Sequence, residues 1–329
     1  MKIKAKYIEI MIFCIIICLI IILPVIKFIQ HRNFPEIIYG PDLKQRINLT
    51  MPKNKSDAYA IVFFHGGGFS GGDKLSYPLF LREFAENNNI FATIGYRLIK
   101  KGLMGTESAI TMNDIIADVD AAIMKIYDVS KEQGINIKGV ILTGHSAGGH
   151  IALQYGYQYF NENDNREIKI IACISMAGST DLTDIFWPAM SHWGENLDKR
   201  FQSHSWRITE LTGYPIVIDQ YNWTEQDNWN EYQGYLEAIS PITYAKINQK
   251  LPPALLVHAL DDMCVPYSNS FKLAEALNGA SIQNKLITVT GSGNSHFLGG
   301  KMKKLLTPYR FSNQTWVNET IAWIQAFLK

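Results

Sequence analysis

The segment Gly144 to Gly148, with the sequence Gly-His-Ser-Ala-Gly, constrains the fold of this chain more than any other stretch. It follows the β-branched, apolar residues 140–143, which predict a buried strand, and precedes residues 149–155, which predict a helix. Glycines on both sides of Ser146 permit a sharp strand-to-helix turn, where a Cβ atom would clash. Such a turn presents the Ser146 hydroxyl beside a helix amino terminus, which stabilises developing negative charge. Ser146 is therefore a candidate nucleophile; a glycine-rich turn with an ordinary serine is the alternative.

Charge and cysteine content exclude several classes of function. The 329 residues carry 31 Lys and Arg against 30 Asp and Glu, a net charge of +1, and no basic cluster, so we expect no nucleic-acid partner. The four cysteines include no Cys-x-x-Cys pair, so we expect neither a disulfide framework nor a metal site, and no cofactor. A bridge between Cys173 and Cys264 is possible on sequence grounds. This length suits one large α/β domain or two small domains.

The amino terminus contains an apolar run over residues 10–26 without a charged residue. Extended to residue 29 it gives about 20 residues, or roughly 30 Å of helix, enough to span a bilayer. Lysines at positions 2, 4 and 6 precede it. The sequence thus predicts a membrane anchor over residues 1–33, with a cytoplasmic amino terminus and an extracytoplasmic catalytic domain over residues 34–329. A cleaved signal peptide, which would give a secreted protein, and a buried core helix are the alternatives.

Apolar strand patterns alternate with amphipathic helix patterns through the rest of the chain, after a linker over residues 31–55 that leads into an edge strand at residues 45–49. The alternation predicts an α/β fold, with a mostly parallel, twisted sheet flanked by helices. We predict strands at 58–64, 90–96, 140–143, 168–176, 254–259 and 285–290, and helices at 76–88, 107–133, 150–159, 270–277 and 313–328.

Three consecutive glycines follow the first buried strand, in the segment from His65 to Gly68. Their backbone can approach another group closely and turn its N–H groups outward. Beside a nucleophile, such N–H groups would form an oxyanion hole, which stabilises the negative oxygen of a tetrahedral intermediate. The alternative is a flexible turn.

Residues 181–240 interrupt the alternation and contain five of the seven tryptophans of the chain. A long stretch with weak strand signals inside a compact domain is typical of a functional lid or cap insertion. Under that interpretation Trp187, Trp193 and Trp223 are candidate substrate-binding residues. The alternative is a peripheral subdomain, whose aromatic side chains form a small core of their own.

The order along the chain is Ser146, then an acid after a strand, then His296 in a loop after the last strand. This is the order of the α/β-hydrolase triad, unlike those of chymotrypsin and subtilisin. Residues from about 36 to 329, outside the insertion, resemble the α/β-hydrolase esterases and lipases with an HGGG motif, including feruloyl-esterase-like, hormone-sensitive-lipase-like and kynurenine-formamidase-like members. The resemblance rests on residues 65–68, 96–98, 144–150, 240–241 and 258–266.

The resemblance implies a role for each matching residue. Ser146 would be the nucleophile, His296 the general base and then acid, and Asp262 the acid that orients His296. The neighbouring Asp261 is the other candidate, and only the family spacing favours Asp262. By the same resemblance the N–H groups of Gly67, Gly68 and Ala147 would be the oxyanion donors. Arg97 and Asp118 would form a structural ion pair.

These observations lead to three hypotheses about function. The first is a membrane-anchored serine hydrolase that cleaves a small-molecule carboxylic ester through an acyl-enzyme. The second keeps the mechanism and changes the bond, giving an aryl-formamidase or another amidase. The third is a catalytically inactive hydrolase fold used for binding, which the intact Ser146, Asp262 and His296 disfavour. Ester and amide cleavage pass through the same tetrahedral oxyanion, so the triad leaves the choice between them open.

Overall fold

One mixed eight-stranded β-sheet runs through the molecule, with helices on both faces. The computed structural model describes residues 31–86, 88–161, 167–184, 197–216, 226–247, 250–262, 264–290, 296, 298, 308 and 314–328. The strands are β1 (His31–Ile38), β2 (Arg46–Pro52), β3 (Asp57–Phe64), β4 (Ile90–Ile94), β5 (Asn136–His145), β6 (Ile170–Met176), β7 (Ala254–Ala259) and β8 (Asn284–Val289). The helices are α1 (Leu79–Ala85), α2 (Met112–Glu132), α3 (Ala147–Asn161), α4 (Leu197–Thr212), α5 (Gln226–Ala238), α6 (Pro241–Ile247), α7 (Ser268–Gly279) and α8 (Gln314–Phe327).

The strand order is β1-β2-β4-β3-β5-β6-β7-β8. Six neighbouring strands, β4, β3, β5, β6, β7 and β8, are parallel to one another. Strand β2 pairs antiparallel with β4, and β1 pairs antiparallel with β2. Because helices connect the parallel strands, the carboxyl ends of those strands meet at one edge of the sheet. The prediction of a mostly parallel sheet flanked by helices is confirmed.

Both faces of the sheet are covered, which explains why the sequence of β5 is almost continuously apolar. Val140 and Leu142 belong to the core on one face, where they join Ile115 of α2. Ile141 belongs to the core on the other face, with Trp316 of α8. Successive strand residues point to opposite faces, so a strand covered on both sides needs apolar residues at every position.

Strand β1 corrects one expectation from the sequence. Residues 31–55 were predicted as a linker, yet His31–Ile38 pairs antiparallel with β2, from His31↔Pro52 to Ile38↔Arg46. Charged residues and Pro35 hide the strand pattern, and the register shifts between Phe34 and Ile37. Proline is tolerated there because β1 forms the edge of the sheet. The predicted domain boundary at residues 33 and 34 falls inside this strand.

The predicted insertion over residues 181–240 contains helices α4 and α5, and no strand lies in its described part. Glu210 of α4 is buried, and its carboxylate accepts hydrogen bonds from the N–H groups of Gly102 (2.7 Å) and Leu103 (3.0 Å). This contact connects the insertion to the segment between β4 and α2. Trp187, Trp193 and Trp223, the proposed substrate-binding residues, lie outside the described residues.

Two further expectations concern the amino terminus and the cysteines. The predicted anchor residues 10–29 lie outside the described part of the chain, and within that part no helix has the length and apolar character needed to cross a bilayer. Cys173 is buried in β6, Cys264 is exposed, and both are free thiols. The possible Cys173–Cys264 bridge is therefore wrong.

Candidate active site

The turn between β5 and α3 holds Ser146 in a left-handed backbone conformation, with φ of +54°. Its N–H donates a 2.8 Å hydrogen bond to the carbonyl of Met176 on β6, and its carbonyl accepts one from His150 N–H. A Cβ atom on Gly144 would lie 2.2 Å from the Gly148 carbonyl carbon. A Cβ atom on Gly148 would lie 2.0 Å from the Phe64 carbonyl oxygen. Both glycines are therefore required by sterics, as the sequence predicted.

Ser146 and His296 come together although 150 residues separate them in the chain. The Ser146 Oγ is 3.0 Å from His296 Nε2, and His296 Nδ1 is 2.9 Å from Asp262 Oδ2. With Nδ1–H donating to the carboxylate, Nε2 accepts the serine proton, which is the geometry a general base requires. Asp262 is buried and holds this position, whereas Asp261 is exposed. The arrangement couples a hydroxyl, an imidazole and a carboxylate in one line.

The carboxylate of Asp262 is held in its ionised form. Burial raises the pKa of Asp262, but the hydrogen bonds from His258 and His296 lower it by a larger amount. The resulting pKa lies well below the usual value for an aspartate. Its Oδ1 also accepts hydrogen bonds from the backbone N–H groups of Cys264 (2.8 Å) and Val265 (3.0 Å). A negative charge is therefore maintained next to the imidazole of His296, where it stabilises an imidazolium.

His145, directly before the serine, contacts the backbone of His296. Its Nε2–H donates a 2.8 Å hydrogen bond to the carbonyl oxygen of His296. Burial, and then the neighbouring His296, lower the pKa of His145 to about 3. His145 is thus neutral at working pH and places no second positive charge beside His296. This contact links residues that lie 151 positions apart in the chain.

The loop after β3 brings the three glycines next to the serine. A Cβ atom on Gly66 would lie 3.2 Å from the Ser146 Cβ, so the loop backbone passes directly beside the nucleophile. Gly67 and Gly68 have φ values of +127° and +58°, and a Cβ on Gly67 would lie 2.2 Å from the Gly71 carbonyl oxygen. Only glycine adopts this conformation without strain.

Aromatic packing and a hydrogen bond from Tyr96 hold the first residue of this loop, His65. The ring of His65 stacks on Tyr96 at 4.3 Å, and the Tyr96 hydroxyl donates to the His65 carbonyl at 2.7 Å. None of the described residues accepts a hydrogen bond from the N–H groups of Gly67, Gly68 or Ala147. Tyr96 therefore anchors the start of the loop, and no described residue occupies these three N–H groups.

The predicted ion pair of Arg97 and Asp118 is present. Arg97 Nη2 lies 2.7 Å from Asp118 Oδ1, and Arg97 N–H also donates to this carboxylate. The Asp118 side chain is buried on α2 and accepts a further hydrogen bond from Gln45. With Gln45, the pair joins the turn before β2, the segment after β4 and helix α2, so its role is structural.

Two residues near the site were not predicted. His258 of β7 contacts Asp262, at 3.3 Å between Nε2 and Oδ2. Arg207 of α4 places its Nε 3.7 Å from the position of a Cβ on Gly68. The His258-x-x-x-Asp262 spacing was available in the sequence, but nothing local signals either contact.

Donor atoms of Asp262, Cys264 and His296 lie within 4.8 Å of one another, so these are the described residues that could hold a metal ion.

The sheet order and the serine turn after its central strand define an α/β-hydrolase-like esterase fold. Esterase B from Lactobacillus Rhamnosis superposes with a TM-score of 0.64 at 16% identity, over 91% of this chain and 85% of that one. The BD-FAE family model matches residues 47–277, well over half of the chain, and the chain belongs to this family.

Among curated proteins, the chain is 24% identical over 319 residues to a "Probable isoprenylcysteine alpha-carbonyl methylesterase" of Oryza sativa subsp. japonica. The match covers 91% of this chain and 65% of that protein. A kynurenine formamidase of Danio rerio is 22% identical over 122 residues, which is 37% of this chain and 38% of the formamidase. The chain thus spans less than two thirds of the length of these relatives.

Proposed function

We propose that this protein is a serine hydrolase that cleaves carboxylic esters. The observation that carries the proposal is the hydrogen-bonded line from Ser146 through His296 to Asp262, at 3.0 Å and 2.9 Å, in a strand-to-helix turn. Membership of the BD-FAE family and the esterase fold support the same class of reaction.

The reaction begins when Ser146 Oγ attacks the ester carbonyl and His296 Nε2 takes the hydroxyl proton. The carboxylate of Asp262 keeps the second ring proton on Nδ1 and stabilises the imidazolium. His296 then gives its proton to the leaving alkoxide, which departs as an alcohol and leaves an acyl-serine. Water, deprotonated by His296, attacks this acyl group, and collapse of the second intermediate releases the acid and restores Ser146.

The oxyanion of both intermediates needs hydrogen-bond donors in fixed positions. We assign this role to the N–H groups of Gly67, Gly68 and Ala147. The assignment is supported by the positive φ values of Gly67 and Gly68, and by the position of Ala147 at the amino terminus of α3, where backbone N–H groups lack a partner within the helix. Each such donor contributes about 2.7–4 kcal/mol to transition-state binding in comparable enzymes.

The insertion and the amino terminus complete the proposal. The insertion follows β6, whose carboxyl end lies at the same sheet edge as Ser146, so we propose that residues 181–240 form a lid with Trp187, Trp193 and Trp223 contacting an apolar acyl or aryl group. The uninterrupted apolar run over residues 10–26 supports an amino-terminal membrane anchor, with the catalytic domain on the extracytoplasmic side.

Amide cleavage is the second candidate, because a curated formamidase is among the relatives. A panel of short, medium and aryl p-nitrophenyl esters, together with N-formylkynurenine, separates the two candidates. We expect higher kcat/KM for an ester. Replacing each of the three lid tryptophans by alanine should reorder the ester preferences, whereas a uniform loss that follows the melting temperature would contradict the lid proposal.

The assignment of the nucleophile is tested by Ser146→Ala, His296→Ala and the double variant. Each should lower kcat by roughly 10⁶, about as much as both together, because the nucleophile and base act as a unit. A fluorophosphonate should label the wild type at Ser146 and leave Ser146→Ala unlabelled. Near-wild-type ester cleavage by folded Ser146→Ala would show that the reaction uses other residues.

A further inference from the structure

His258 occupies the penultimate position of β7 and lies against the carboxylate of Asp262. Its side chain is fully buried. Nδ1 is 2.7 Å from the hydroxyl of Ser270 on α7, and Nε2 is 2.9 Å from the carbonyl oxygen of Val265. The proposed reaction uses none of these atoms, so any contribution of His258 to it acts through the residues that His258 contacts.

The partners of the ring determine where its proton lies. The Val265 carbonyl oxygen can only accept a hydrogen bond, so Nε2 of His258 must carry the proton. Nδ1 then accepts from the hydroxyl of Ser270. The same Nε2–H lies 3.3 Å from Asp262 Oδ2, where it makes the longer branch of a shared hydrogen bond. The Val265 carbonyl therefore fixes the tautomer that donates toward Asp262, and the Ser270 hydroxyl holds the ring in place by donating to Nδ1.

We propose that His258, oriented by Ser270, is a positioning residue for Asp262 and hence for the base His296. The proposal rests on the proposed function, because it treats Asp262 as the triad acid. It extends the line of three residues to five, in the order Ser270, His258, Asp262, His296 and Ser146.

The distribution of donors around Asp262 explains why His258 matters. Oδ1 is held by the N–H groups of Cys264 and Val265, while Oδ2 faces the two histidine rings. Without His258, His296 would be the only described residue in contact with Oδ2, and the carboxylate could follow that ring instead of orienting it. The Asp262 side chain is fully buried, so a lost donor leaves a charged oxygen without compensation.

Three variants test the proposal. His258→Gln keeps an N–H donor near the position of Nε2, His258→Leu removes it, and Ser270→Ala removes the hydroxyl that holds the other ring nitrogen, Nδ1. We expect His258→Leu to lower kcat about 10- to 100-fold with KM nearly unchanged, the range of a hydrogen bond to a charged group. His258→Gln should recover most of the loss, and Ser270→Ala should lose several-fold.

The pH profile separates positioning from a merely structural role. A carboxylate that has lost a donor is more basic and holds the proton shared with His296 more tightly, so the acid limb of kcat should move to higher pH in His258→Leu. Other titratable groups near Asp262 include Cys264, His145 and the adjacent Asp261, which all variants retain. Ser130→Ala is the stability control. The Ser130 hydroxyl is buried on α2, donates to the carbonyl of Ile126 one turn earlier in the same helix, and contacts none of the residues of the proposed line.

Equal losses in His258→Leu and His258→Gln, with an unshifted profile and a kcat that follows only the melting temperature, would overturn the proposal. If His258→Leu does not fold, an unchanged kcat in folded Ser270→Ala would overturn it as well. The proton NMR resonance of His296 Nδ1–H, assigned by its loss in His296→Ala, is read without turnover. A change of this resonance in Ser270→Ala supports the His258 proposal even if Ser146→Ala shows that the proposed reaction is wrong.

Discussion

The surroundings of a residue, more than its type, decide whether it contacts the other residues of this site. The chain has adjacent acids at 261 and 262, yet only Asp262 is buried and directed at His296, with an Oδ2–Nδ1 distance of 2.9 Å. The backbone turn after β7 determines which of the two faces inward. Spacing within a known motif predicted Asp262 as the acid, and its contact with His296 supports that prediction.

The two acids make a matched pair for mutagenesis. Asp262→Asn should lower kcat by about 10⁴, because a neutral amide favours the wrong tautomer of His296. Asp261→Asn, one residue away and exposed, should change kcat far less. Steady-state kinetics with one p-nitrophenyl ester measures both. The reverse ranking would mean that Asp261 is the triad acid.

At the scale of elements, strand β1 is the part of the fold that the sequence concealed. Its first three residues pair with Thr50, Met51 and Pro52 of β2, and Arg32 also donates to Gln133 at 2.5 Å. A domain cut at the predicted boundary would lose these contacts while keeping the rest of the strand. The edge of the sheet beside β2 would then be partly open.

We expect a chain that begins at Phe34 to be less stable than one that begins at His31. The free energy of unfolding should fall by roughly 1–3 kcal/mol, the range of a few lost hydrogen bonds. Activity at low temperature should be unchanged, because β2, β4 and β3 separate β1 from β5. Urea unfolding of both chains gives the difference. Equal stabilities would show that residues 31–33 contribute nothing to the sheet.

The sequence predicted a strand at the position of each strand from β2 to β8, because each has an apolar or alternating pattern. Helix boundaries were less accurate. The helix expected from residue 107 begins at Met112, since Thr111 and Asp114 form a reciprocal capping box. The contacts of His145 with His296 and of His258 with Asp262 were beyond prediction, because they depend on how strands and loops pack, and no local pattern encodes them.

At the scale of the whole molecule, neutral buried histidines make the folded state sensitive to acid. Burial lowers the pKa of His65 and His150 to about 4 and that of His145 to about 3. The unfolded chain binds these protons near pH 6.5, the folded chain only near pH 3 to 4. Between those values the unfolded state binds more protons, so stability falls as the pH falls.

Each of the three histidines should contribute a slope of about 1.4 kcal/mol per pH unit within that window. Urea unfolding at several values between pH 7 and pH 4.5 measures the total. His150→Asn keeps a donor for the Ser179 carbonyl and removes the titration, so it should reduce the slope by one proton, whereas Ser130→Ala should lower stability without changing the slope. A slope that His150→Asn leaves unaltered would contradict this assignment.

The place where β1 begins has a consequence for how the molecule would sit at a surface. His31 pairs with Pro52 at the end of β2 that lies toward the amino ends of the parallel strands, and Ser146 follows their carboxyl ends. Since β5 alone spans about 30 Å, a tether entering at His31 would hold the molecule with its reactive serine outermost. Such an enzyme would take substrates dispersed in water, and nanodisc-bound and truncated forms should hydrolyse a soluble ester equally fast. A bilayer lipid would meet the opposite end of the sheet from the serine.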